Sequence, residues 1–351
     1  MGRCRELTVS SPWYVNLFLK DIVQIMDVYQ VPKRSIILIK VFISLAILAI
    51  LFALTDVTKM LSVMMDINPL VILLSVFLCF SQMVLAGVRW HTIGVRTGDF
   101  FDFSTTIKIN SAAMFSNQIL PTSIGGDLVK TALARQGGLA LGRAIRTVLL
   151  DRITGLISLI FLLAATCFFS ENYVPKEWGL NGIQFIIVPI LSFLLVALYN
   201  GAKISTLCQR FNYLKWSIKF LNDASALFRS GWTAVYTVCI SVFIHSIGAL
   251  CVWILALELG LNINYIIVLA FLPLISLAQL IPVSIAGWGV REGAVVSLFA
   301  LMGLDPSISL VVSLLWGTSI VLAAVLSGLI WIFMRSGNEN LRDIRTSEFY
   351  N

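Results

Sequence analysis

Two thirteen-residue segments concentrate the groups able to do chemistry. QILPTSIGGDLVK at 118–130 and QLIPVSIAGWGVR at 279–291 align without a gap, and six of the thirteen positions are identical. Lys130 faces Arg291 across that alignment, Gln118 faces Gln279, and Pro121 faces Pro282. A cation held in place by a Pro and Gly pattern suits an anionic phosphate. Lys supplies a compact point charge, Arg a planar fork that binds two oxygens at once. Asp127 lies at the presumed start of a helix, where an acid is favoured, and three residues from Lys130, close enough to pair on one face. Glu292 follows Arg291, either to pair elsewhere or to carry a proton if buried, and Asp151 and Arg152 form a further acid and base side by side. Adjacent helical residues point about 100° apart, so one of that pair can face a cavity while the other faces a neighbouring helix.

Each of these residues has a plainer use as well. Asp127 can be a helix cap, Lys130 and Arg291 can snorkel to a headgroup region, and Asp151 and Arg152 can anchor a span at the interface. His245, near the middle of an apolar stretch, can simply hydrogen-bond another helix. Lys40 lies one turn inside its stretch and reads as snorkelling.

The elements that must position these groups are membrane helices. The 351 residues are 58% hydrophobic and only 12% charged, with mean hydropathy +0.93, too apolar for a water-soluble surface. The apolar residues fall in blocks of about twenty, the length a helix needs to cross ~30 Å of hydrocarbon. The fold class expected is therefore all-α, a polytopic membrane helix bundle. Six spans are expected, over 36–54, 70–88, 148–169, 183–199, 234–257 and 308–333. Stretches 104–120 and 263–281 end at Gln-x-x-Pro and decide the topology. If neither crosses, twenty-two of the 25 Lys and Arg residues fall on one side and only Lys59, Lys176 and Arg291 on the other. That asymmetry places both termini in the cytoplasm and makes the two stretches re-entrant hairpins. Three spans separate the copies, so the second hairpin enters from the opposite face, as an inverted repeat.

Pro121 and Pro282 remove backbone donors, and Gly125, Gly126, Gly287 and Gly289 allow close approach and unusual dihedrals, so each helix must break there. Freed backbone groups are costly in lipid, so such breaks belong at a protein-lined polar cavity. The chain divides into a cytoplasmic segment 1–35 with an interfacial amphipathic helix over 14–30, a transmembrane domain 36–333 and a cytoplasmic tail 334–351. The loop 203–229, rich in Lys, Arg and aromatic residues, is expected to lie on the membrane surface. The net charge of +7 reads as loop topology, with no nucleic-acid partner. Six cysteines without a C-x-x-C pair read as small core residues, so neither metal nor other cofactor is expected. No nucleotide-binding or hydrolase motif occurs, and the chain is not expected to be an enzyme.

The residues NQILPTSIGGDLVKTALA, LLDRITGL and IPVSIAGWGVREGA resemble the lysylphosphatidylglycerol synthase transmembrane region family, also called flippase-like integral membrane proteins. The resemblance runs over roughly 36–333. In the multiple peptide resistance factors of that family, this unit is similar to a lipid flippase and precedes a soluble aminoacyl transferase. Only a short stretch follows the last span here, so the expectation is the membrane unit without the transferase. The resemblance implies a substrate-binding set of Asn117, Gly125, Gly126, Asp127, Lys130, Asp151, Arg152, Gly287, Gly289, Arg291 and Glu292, to which the repeated Gln118 and Gln279 are added. Lys130 stands where the family often has Arg, and Trp288 where a small residue is common, and both bear on headgroup choice. The function implied is a flippase in the inner membrane that moves an anionic phospholipid or a polyprenyl-phosphate-linked headgroup between leaflets. The alternative is an accessory subunit that presents lipid to a separate glycosyl- or aminoacyl-transferase partner.

Overall fold

In a computed structural model, the protein is described over residues 34–98, 100–120, 125–169, 184–208, 215–281 and 283–348. The expected interfacial helix over 14–30, Pro121 and Pro282 lie outside the described residues. Among these residues there are thirteen helices and no strand. They are α1 (Arg34–Ala53), α2 (Val57–Met65), α3 (Pro69–Arg96), α4 (Phe103–Ile119), α5 (Gly125–Gln136), α6 (Leu141–Phe169) and α7 (Gln184–Tyr199). The chain continues through α8 (Gly201–Cys208), α9 (Lys215–Phe228), α10 (Trp232–Glu258), α11 (Tyr265–Gln279), α12 (Val290–Leu301) and α13 (Pro306–Glu348).

Local sequence sets the helix starts. Asn68 caps α3 by accepting from the Leu70 amide, with Pro69 at the first position, where its missing N–H costs nothing. Asp102 caps α4 from the Thr105 amide at 3.1 Å, and Asn264 caps α11 from the Ile266 amide at 2.9 Å. The Asp102 carboxyl is held below its ordinary range by the hydrogen bonds from Thr105.

Four helices are long and apolar enough to cross a bilayer: 69–96, 141–166, 232–258 and 306–333. The other two expected spans take a different form. The helix at 36–54 meets α2 at an angle of 91°, because the Thr55–Asp56 corner caps a new helix. The stretch 183–199 yields a helix of only 16 residues with Pro189 inside it. The last helix runs on past Phe333 to Glu348, since 334–348 contains no proline. Within 203–229 the described residues form the greater part of α8 and all of α9. The two pack closely enough that a Cβ on Gly201 would strike the Leu221 carbonyl, and Ser205 donates to Asn222 at 2.7 Å. Residues 209–214 of this loop are outside the described set.

The main core is built by α3, α10, α11, α12 and α13 around Val252, Leu255, Phe271, Ile275, Phe299 and Val311. Lipid tails are as apolar as these side chains, so helix association depends on close packing and on polar contacts between helices. Gly248 and Gln82 supply both: Gln82 donates to the Ile244 carbonyl at 2.7 Å and lies where a Cβ on Gly248 would be. Cys79 and Cys251 are buried in this core, whereas Cys239 is exposed, so small size alone does not put every cysteine inside.

Each repeated segment turns one helix back along another. Gly126 packs on Ala113 and Asn117, and the same two helices meet again where Ile109 and Ala134 share a core cluster. The contacts move outward from the break in opposite chain directions, so α4 and α5 are antiparallel. In the second copy Gly287 lies on Gln279, and the Phe271 and Phe299 rings are 6.4 Å apart, so α11 and α12 form a second antiparallel hairpin. At 12 residues, α5 and α12 are each ~18 Å long, too short to cross the hydrocarbon.

Candidate polar cleft between the two hairpins

The two hairpin turns meet in a cleft of about 460 Å³. Asn117 and Asp127 enter it from the first hairpin, and Gln279, Ala286 and Gly287 from the second. Leu149, Arg152 and Leu159 of α6 and His245 of α10 complete the wall, with Ser276 one turn before Gln279 and Leu280 after it.

The second turn is built for close approach. Gly287 and Gly289 have φ of 82° and 87°, and Ala286, at φ 49°, is the one positive-φ residue that is not glycine among those described. A Cβ on Gly287 would lie 2.8 Å from Gln279 Oε1, so glycine lets the Gln279 amide cover the backbone there. In the first turn, Gly126 N–H donates to Asn117 Oδ1 at 3.4 Å, and a Cβ on Gly126 would be 2.6 Å from the Ala113 carbonyl.

Five charges lie behind and beside the cleft. Arg152 grips Asp127 with both arms of its fork, Nε to Oδ2 at 2.8 Å and Nη2 to Oδ1 at 2.9 Å. Its side chain is 46% exposed, and this pair is the charged feature of the cleft wall. Deeper in, Asp151 accepts from Arg89 Nε at 2.7 Å and from Lys130 Nζ at 3.2 Å, and all three are buried. Arg89 also donates to Ser241 at 3.0 Å, and Lys130 Nζ stands 4.2 Å over the Trp90 ring. Three cations thus face two carboxylates, and the cluster carries one excess positive charge. The Asp127–Lys130 pair expected from their spacing does not form. Lys130 points inward to Asp151 and Trp90, which leaves Asp127 to Arg152.

The other cation of the repeat is buried as well. Arg291 is 2% exposed and donates to Glu292 at 2.9 Å from Nε, with its guanidinium 4.6 Å over Trp288 and 5.7 Å from Trp316. Glu292 also accepts from the Gly289 amide at 2.6 Å, closing the N-terminus of α12. Ser313 Oγ is 3.5 Å from the same carboxylate, and Gly317 leaves the room that the Arg291 guanidinium fills.

Of the thirteen residues singled out, Asn117, Asp127, Arg152, Gln279 and Gly287 therefore line the cleft. Gly125, Gly126, Lys130, Asp151, Gly289, Arg291 and Glu292 are buried and do not line it, and Gln118 is half-buried outside the lining. His245 lines the cleft and has its Nε2 3.4 Å from the Gly155 carbonyl. Arg89 and Ser276 carry no local motif that singles them out. Arg89 lies just past the expected end of a span, and the signal available was an uninterrupted helical run as far as Thr97–Gly98. Among the described residues no group of acids, histidines and cysteines is arranged to hold a metal.

A sequence model described as lysylphosphatidylglycerol synthase TM region matches residues 37–328. The chain is 24% identical over 305 residues to the UPF0104 membrane protein MJ1595 of Methanocaldococcus jannaschii, covering 82% of this chain and 90% of that protein. It is 26% identical over 190 residues to a UPF0104 membrane protein of Archaeoglobus fulgidus, covering 54% of this chain and 57% of that one. No solved structure matches.

Proposed function

The chain belongs to the lysylphosphatidylglycerol synthase TM region family, and from that premise we propose that it is a lipid transporter. It passes an anionic, phosphate-bearing headgroup between the leaflets of the inner membrane while the tails stay in lipid. The two hairpins are re-entrant, enter from opposite faces, and meet at the cleft; both termini are cytoplasmic.

One observation carries this reading: both repeated turns and the half-exposed Arg152 fork converge on one cleft that also presents the Asn117 and Gln279 amides. A headgroup is repelled by hydrocarbon, and a wet groove lined by a cation and polar amides lowers that barrier. Arg152 binds the phosphate bidentately, Asn117 and Gln279 offer amide donors, and the excess positive charge of the cluster favours an anion. Lys130 and Arg291 set the field and hold the walls, because both are buried and paired. Uphill movement requires ion coupling or a gradient supplied elsewhere.

The test is transfer of a fluorescent anionic phospholipid across proteoliposome bilayers containing the purified protein. Wild type is expected to equilibrate the probe faster than empty vesicles, and Arg152→Ala to return the rate to background. Wild-type vesicles no faster than empty ones would overturn the proposal.

A further inference from the structure

Away from the cleft, α6, α7 and α10, with Phe228 of α9, line a second, open cavity of about 780 Å³ whose walls are almost wholly apolar. Leu191, Leu195 and Val196 form one side, Val235, Val238 and Phe243 the other, and Ile157 and Phe161 the floor. Along α10 it reaches from Ala234 to Ser246, a rise of ~18 Å at 1.5 Å per residue. One leaflet contributes about half of the ~30 Å hydrocarbon core, so this crevice has the depth of a single leaflet.

Dimensions and charge both identify an occupant. A groove of single-leaflet depth with walls this apolar suits a hydrocarbon chain lying along α10. At the end of the crevice marked by Tyr199 and Phe228 stands Arg229, exposed, with its Nε donating to the Tyr199 carbonyl at 2.8 Å. Its guanidinium carbon lies 5.1 Å over the Tyr199 ring. Two backbone and ring contacts thus fix this arginine above the mouth without a carboxylate among its described partners, leaving the fork's two terminal nitrogens for a phosphate oxygen.

We infer that the crevice between α7 and α10 is a binding site for an anionic phospholipid, with an acyl chain along Val196, Val235 and Val238 and the phosphate on Arg229. The site is distinct from the polar cleft, and a protein that moved no lipid would still hold this one.

The test uses the full chain in nanodiscs of phosphatidylcholine with a trace of phosphatidylglycerol carrying a photoactivatable acyl chain, and the crosslinked peptides are mapped by mass spectrometry. Labelling is expected to be several-fold enriched on 191–199 and 234–246 over 70–77 of α3, a segment with exposed Leu70, Leu73 and Phe77. Arg229→Gln is expected to lower the enrichment of the phosphatidylglycerol probe to that of a phosphatidylcholine probe of the same chain, whose own enrichment stays unchanged. Val238→Trp, which fills the crevice, should abolish it for both. Even labelling of all three segments would overturn the site, and anionic enrichment that survives Arg229→Gln would overturn the headgroup assignment.

Discussion

Asp151→Asn and Arg152→Ala alter neighbouring residues on α6, yet the structure separates their consequences. Asp151 is 5% exposed and is the carboxylate shared by Arg89 at 2.7 Å and Lys130 at 3.2 Å. Neutralising it leaves two buried cations facing each other, and breaking a buried ion pair costs about 3–5 kcal/mol. That is a large part of the ~5–15 kcal/mol by which proteins are stable. Arg152 has a side chain 46% exposed, so its pair with Asp127 is largely screened and contributes no more than about 1 kcal/mol. Thermal unfolding of the detergent-purified variants, followed by intrinsic tryptophan fluorescence, should show Asp151→Asn markedly destabilised or poorly expressed. Arg152→Ala should melt close to wild type and lose lipid transfer. Lys130→Ala should resemble Asp151→Asn in stability, since Lys130 is 2% exposed and paired. Equal melting temperatures for Asp151→Asn and Arg152→Ala would refute the division into a structural core and a working face.

Three further outcomes are expected. Asp127 occupies the Arg152 fork that a phosphate needs, so Asp127→Asn should tighten binding of a short-chain anionic phospholipid, measured by calorimetry, while slowing its transfer; weaker binding would remove Asp127 as a competitor. Gly126→Ala places a methyl group 2.6 Å from the Ala113 carbonyl, so the first hairpin must open, and a lower melting temperature with reduced transfer should follow. Asp305 accepts from Lys59 at 2.6 Å, and this hydrogen bond holds its carboxyl below the ordinary range. A depressed folded-state value stabilises the protein above the ordinary carboxyl value near pH ~3.9, and the effect is lost as pH falls through the folded value. Asp305→Asn should therefore reduce stability slightly at neutral pH, by no more than about 1 kcal/mol for so exposed a pair, seen as a slightly lower melting temperature there and not at the acid end.

The amino-acid pattern was most informative where backbone chemistry acts locally. Gly126 and Gly287 announced close approach, and each lies at a hairpin turn where a Cβ would collide with the preceding helix. The breaks end α4 at Ile119 and α11 at Gln279, next to the Gln-x-x-Pro segments that predicted them. Pairing between distant helices was not legible. Spacing within α5 allowed Asp127 to meet Lys130, but only the crossing of α3 and α6 brings Arg89, Trp90 and Asp151 to Lys130 and turns Asp127 toward Arg152. Arg291 and Glu292, adjacent in sequence, pair because the turn at Gly289 folds the Glu292 carboxylate back onto the helix N-terminus. At 183–199 the apolar run does form one helix, Gln184–Tyr199, with Pro189 inside it.

The central claim is that both repeated turns open onto one water-filled cleft. It is tested most directly by single cysteines at Asn117 and Ala286, one from each hairpin, in a variant lacking the six native cysteines. Both positions should react with a charged, membrane-impermeant thiosulfonate, and a short-chain anionic phospholipid should protect both over the same concentration range. Unreactive positions, or protection of one without the other, would contradict it.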